Sequence, residues 1–162
     1  MMTITLDTNV LWDVVDPSRE HHGEAAALLR LAGAGKLAIQ ITSAVDRDVP
    51  YGRWRKLILS LGLLPTMDSV GEALRMPASS AEGLFDILMH LLFPGCDPDS
   101  PRHAARASDA IHLIAHRRSG NHAFVTRDRA ILERRLNLLR DFAIKVLSPE
   151  EVLGDLCGWD DG

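Results

Sequence analysis

The chain has 162 residues, a length suited to one compact domain, and its 46% hydrophobic and 25% charged content excludes a disordered polymer. The net charge of −4 argues against wholesale nucleic-acid binding, yet residues 101–145 hold ten Lys/Arg against four Asp/Glu, while the last 17 residues hold five acids and no Lys or Arg. No apolar run reaches the roughly 18 residues of a membrane helix, no signal peptide is visible at the N-terminus, and Cys96 and Cys157 stand far apart, so a reducing, cytoplasmic setting without a membrane partner is expected.

Thr3–Leu6 alternates as a strand does, and Asp7-Thr8-Asn9 has the character of a helix start. Ala25, Leu28, Leu29 and Ala32 fall at helical spacing and predict a helix over 19–32, closed by Gly33 and Gly35. Leu37, Ile39 and Ile41 predict a second strand. Trp54, Leu57, Ile58 and Leu61 predict a helix over 53–64, and Leu84, Ile87, Leu88, Leu91 and Leu92 another over 79–93. Between Pro94 and Pro101 lies a Pro/Asp-rich loop with the composition of a mobile flap. A helix over 105–118, a strand at 123–126, a helix over 130–139 and a strand at 144–147 follow. Ser148-Pro149-Glu150-Glu151 then supplies an N-cap, a proline at the first helical position and a glutamate at the third. Strands alternating with helices predict an α/β sandwich around a mostly parallel sheet.

Several familiar chemistries lack their residues. Gly33-Ala-Gly-Lys36 has Arg30 where a phosphate loop needs its first glycine and Leu37 where it needs Ser or Thr. His112 and His116 are four apart on a helix, but Leu113 replaces the glutamate of a zinc-protease motif, so they read as a solvated or partly packed pair. His21 and His22 read simply as the opening of a helix. The carboxylates are more informative. Asp7 follows one strand and Asp128 lies just past another, at the ends where α/β folds build sites, and Asp109 heads an apolar stretch of helix. Each also has a plain alternative: Asp7 and Asp128 as helix caps, Asp109 as a complement to a helix dipole in a first turn.

These segments together resemble the PIN-domain ribonucleases. The carrying residues are Ile4-Thr-Leu-Asp-Thr-Asn-Val-Leu11, Ser108-Asp-Ala-Ile-His-Leu-Ile-Ala115, Phe124-Val-Thr-Arg-Asp-Arg-Ala-Ile131 and Val146-Leu-Ser-Pro-Glu-Glu-Val-Leu153. The resemblance covers roughly residues 1–49 and 104–153 and implies a PIN-like three-layer α/β sandwich over 1–154; residues 50–104, which carry none of its motifs, are expected as a variable helical region, and 155–162 as an acidic tail. It implies Asp7, Asp109 and Asp128 as convergent Mg²⁺ or Mn²⁺ ligands, with Asn9 and Thr126 in support. The family's usual glutamate has no counterpart in this chain. Asp48, six residues past Thr42, is the better substitute and Asp46 the alternative. The implied activity is metal-dependent cleavage of single-stranded RNA, leaving 5′-phosphate and 3′-hydroxyl ends, by a homodimeric toxin held by an antitoxin protein. Arg102, Arg106, Arg127 and Arg129 are the candidates for guiding the RNA backbone. The competing expectation, from the missing glutamate, is a catalytically weak or inactive PIN-like module that binds RNA or protein.

Overall fold

The computed structural model describes residues 1–42, 44–49, 52–65 and 78–157. In chain order these form β1 (Met2–Leu6), α1 (Thr8–Val15), α2 (His22–Gly33), β2 (Leu37–Ile41), α3 (Val45–Asp48), α4 (Arg53–Ser60), β3 (Leu64–Pro65), α5 (Ala78–Leu92), α6 (His103–Ser119), β4 (Ala123–Val125), α7 (Arg129–Glu133), α8 (Arg135–Phe142), β5 (Val146–Leu147) and α9 (Pro149–Cys157). The strands make one five-stranded sheet in the order β3-β2-β1-β4-β5, with every pairing parallel. Parallel neighbours need crossovers, and at least one helix lies between each strand and the next in sequence.

Side-chain alternation along the strands sorts the core into two layers. Ile4, Leu6, Ile39, Ile41, Ala123 and Val125 pack with Val10, Leu11, Leu28, Ile58 and Val152, which places α1, α2, α4 and α9 over one face. Phe124 and Val146 point the other way and pack with Leu88, Leu113, Ile131, Leu138 and Phe142 of α5 to α8. The result is a three-layer α/β sandwich. From β1 the chain moves outward to β2, and from β4 it moves outward in the opposite direction to β5. The crevice at the carboxyl ends of β1 and β4 is therefore the topological switch point, where open α/β sheets place their ligands.

Several predicted boundaries shift. The helix expected over 53–64 stops at Ser60, because Gly62 takes the left-handed conformation (φ 65°), and Leu64–Pro65 instead forms an edge strand beside Gln40 and Ile41. The helix expected over 130–139 is two helices that meet at Arg134, with no proline or glycine to mark the break. The capping box before α9 is present: Ser148 Oγ accepts from Glu151 N (3.3 Å) and Glu151 Oε2 accepts from Ser148 N (2.8 Å). That helix runs on to Cys157, so Asp155, expected in the tail, is helical and pairs with Lys145 at 3.7 Å. The remaining tail, 158–162, lies outside the described residues. The Pro94–Pro101 loop is closed by consecutive turns, with Ser100 N and Asp99 N donating to Asp97 O (3.0 Å) and Asp97 Oδ1 (2.9 Å). Among the described residues, no helix is long and apolar enough to cross a membrane.

Candidate active site

β1 delivers Asp7 to the switch point. Its backbone N–H still pairs with Val125 O (2.9 Å), so the residue is fixed by the sheet before α1 begins. Asp7 is 3% exposed, and its Oδ1 accepts from Thr8 N (2.7 Å), the helix-capping bond. Capping accounts for only one oxygen. Oδ2 accepts from Thr126 Oγ1 (2.6 Å) and Asn9 Nδ2 (2.9 Å), which joins the β1 end to the β4 end. Thr126 Oγ1 in turn accepts from Asp128 N (2.9 Å) and Asn9 Nδ2 (3.1 Å), while Asn9 Oδ1 accepts from Arg127 N (3.1 Å). Asp128 caps α7, its Oδ1 accepting from Ala130 N (2.7 Å) and Ile131 N (3.3 Å). Oδ2 of Asp128 has no hydrogen bond among the described residues.

Asp48, at the end of α3, comes to the same place. Its Oδ1 accepts from Ser108 Oγ (2.6 Å), and its Oδ2 accepts from Thr8 Oγ1 (2.8 Å) and His112 Nε2 (2.7 Å). These donors outweigh the cost of its own burial and hold its carboxyl below the usual range. The side chain of Asp46 lies outside the described residues. His112 corrects the expectation of a solvated or partly packed helical pair: it and His116 are 0% and 2% exposed. His112 Nδ1 meets the Thr42 hydroxyl at the end of β2, and Nε2 also lies 3.3 Å from Thr8 Oγ1. Thr42, His112, Asp48, Thr8, Asp7, Thr126 and Asp128 thus form one continuous network across three strand ends. The sequence did carry a signal for His112. Ser108, His112 and His116 repeat every four residues, a polar stripe through an apolar helix.

Asp109 belongs to α6 but is its seventh residue, not a first-turn acid, so the dipole reading fails. Its carboxyl has no hydrogen bond among the described residues. Burial, then the charges of Asp7, Asp128 and Asp48, push its pKa up to about 8. Asp7 is also raised, mainly by burial and further by Asp128, against lowering by His112 and by its hydrogen bonds. Asp109 thus feels the other three acids and Asp7 feels Asp128, but the four do not form a tight cage. Among the described residues, the three groups whose ligand atoms all lie within 4.8 Å of one another are His21, Glu24 and Glu150. That set suits a cation poorly: Glu150 Oε1 already accepts from Arg127 Nη1 (2.5 Å), and the groups stand at the positive ends of α2 and α9.

The arginines separate into two kinds. Arg127, expected to guide a ligand, is instead structural: its Nε donates to Asp13 Oδ2 (2.8 Å), its Nη1 to Glu150, and its side chain is only 16% exposed. Arg102 is exposed, Arg129 is 92% exposed beside Glu133 at 3.5 Å, and Arg106 lies over the Phe93 ring at 5.2 Å. Compared with known protein families and with characterised proteins, the sequence finds no match.

Proposed function

We propose that this protein is a PIN-like ribonuclease that cleaves single-stranded RNA with a divalent cation held by Asp7, Asp109, Asp128 and Asp48. The observation that carries the reading is Asp109, a half-buried carboxyl with no donor among the described residues and three other carboxylates acting on it. Ionising a half-buried carboxyl beside like charges is costly unless a cation neutralises it. The donor set is all oxygen, which suits Mg²⁺ or Mn²⁺.

A carboxylate offers about four lone-pair sites. Asp7 and Asp48 each spend three on protein donors, which orients them and leaves one apiece. Among the described residues Asp128 keeps Oδ2 free of donors and Asp109 keeps both oxygens, so these two are the open ligands. Bound there, the cation would lower the pKa of an attacking water and stabilise charge developing at the phosphodiester. Thr126 and Asn9 hold the Asp7 carboxylate against rotation. Arg102 and Arg129 offer exposed guanidinium groups to the phosphate chain, and Arg106 is held in place by its stacking on Phe93.

The test is cleavage of end-labelled single-stranded RNA with Mn²⁺ or Mg²⁺. Wild type should cut, leaving 5′-phosphates, and Asp7→Asn should be at least about 100-fold slower, the scale set by losing an electrostatic catalytic group. A second reading follows from Asp48, whose three protein donors leave it little capacity for a metal. On that reading the chain binds RNA without cutting it. Filter retention of intact RNA, with no cleavage in either metal, would favour that reading.

A further inference from the structure

His112 is a fully buried imidazole whose two nitrogens meet groups from three different elements. Nε2 faces Asp48 Oδ2 at 2.7 Å, and an ionised carboxylate only accepts, so Nε2 carries the proton on that side. In the neutral ring Nδ1 then accepts from the Thr42 hydroxyl, which anchors the imidazole to the end of β2. Asp48 needs such a brace. It ends a helix of only four residues and is one methylene shorter than a glutamate, so the backbone alone gives its carboxylate little definition. Ser108 and Thr8 hold it from α6 and α1, and His112 ties it to the sheet.

We propose that His112 is a positioning residue that holds the Asp48 carboxylate toward the acid cluster through Nε2, with Thr42 fixing the ring from behind. The inference rests on the metal-dependent reading above. It makes a demand that a merely space-filling histidine does not. A glutamine at 112 can place its amide nitrogen near the position of Nε2 and restore the bond to Asp48. An asparagine reaches only the position of Nδ1.

The experiment measures Mn²⁺ dissociation constants from the free-ion electron paramagnetic resonance signal for wild type, His112→Gln, His112→Asn and Thr42→Val. His112→Gln should stay within about threefold of wild type, while His112→Asn should bind about tenfold more weakly or worse, the usual effect of losing a group that orients a metal ligand. Thr42→Val should fall between them, and it keeps the inference testable if the asparagine variant does not fold. Equal weakening by Gln and Asn, or unchanged binding in Thr42→Val, overturns the role of His112 and leaves the metal site standing. A wild-type protein that binds no Mn²⁺ overturns the metal reading, and this inference falls with it.

Discussion

Asp109 gains less from its surroundings than any other acid in the site. Two carboxylates about 5 Å apart at an effective dielectric near 20 repel by roughly 3 kcal/mol, and Asp109 feels Asp7, Asp128 and Asp48 together. Its folded pKa of about 8 lies above the unfolded 3.8, so folding favours its protonated form, and that advantage is lost as pH rises toward 8. At pH 7 the unfolded chain ionises this group freely and the fold does not. Asp109→Asn should therefore make the metal-free protein about 1–3 kcal/mol more stable and abolish any Mn²⁺-specific rise in melting temperature. Melts with Mn²⁺ against monovalent salt at matched ionic strength measure both effects, and a metal-free variant less stable than wild type would contradict the argument. At this scale the sequence was informative about Asp7, Asp109 and Asp128, which sit in recognisable strand-end and helix contexts, and about Asp48, through its spacing from Thr42. The stripe of Ser108, His112 and His116 marks polar positions on α6, but not the group they serve. Thr8, Ser108 and His112 become partners of Asp48 only when α1, α3 and α6 meet, and no local pattern encodes that meeting.

Two element junctions depend on polar contacts of very different strength. The capping box at Ser148 is half-exposed and local, so Ser148→Ala should cost about 1 kcal/mol. Asp13 joins α1 to the β4–α7 connection: its carboxylate is 2% exposed and accepts from Arg127 Nε (2.8 Å) and Arg19 Nε (2.6 Å). Arg127 Nη2 is already buried without a hydrogen-bond partner among the described residues, so nothing there can replace Asp13. Asp13→Ala should then cost about 3 kcal/mol, because it leaves a mostly buried guanidinium with Glu150 as its remaining charged partner. Urea titrations of the two variants order the effects, and equal losses would show that Arg127 relaxes into solvent. The capping box was legible in advance, since all of its residues are consecutive. The structural pairing of Arg127 is illegible for the opposite reason: its partners Asp13 and Glu150 lie 114 and 23 residues away. Strand β3 was missed because two residues cannot display alternation, and a helical pattern ran up to Leu61 just before it.

At the scale of the whole molecule, parallel pairing brings the β1 and β4 ends side by side, and the same sheet buries a second histidine one helical turn beyond the site. His116 meets Thr5 Oγ1 at 2.8 Å, packs edge-on against Phe124, and has its pKa lowered by burial to about 4. It therefore contributes stability that is complete above about pH 6.5 and is lost as pH falls toward 4. Asp109 acts in the reverse sense, and Asp7 adds to it, since the fold penalises their ionised forms. Between pH 4 and 6.5 the slopes of His116 and Asp109 oppose each other. Above 6.5 His116 is neutral in both states, and the carboxyl penalty stands alone. The metal-free protein should then lose about 2 kcal/mol of stability between pH 6.5 and 8, or about 4–8 °C in melting temperature at this size. A saturating divalent cation keeps Asp109 ionised in the folded state and removes that penalty, so the decline above pH 6.5 should disappear, while the loss on the acid side from His116 remains. Melting curves at half-unit pH steps, with and without Mg²⁺ at constant ionic strength, read both limbs. A metal-free profile that is flat from 6.5 to 8 would mean that Asp109 ionises without cost, which removes the main reason for placing a cation beside it.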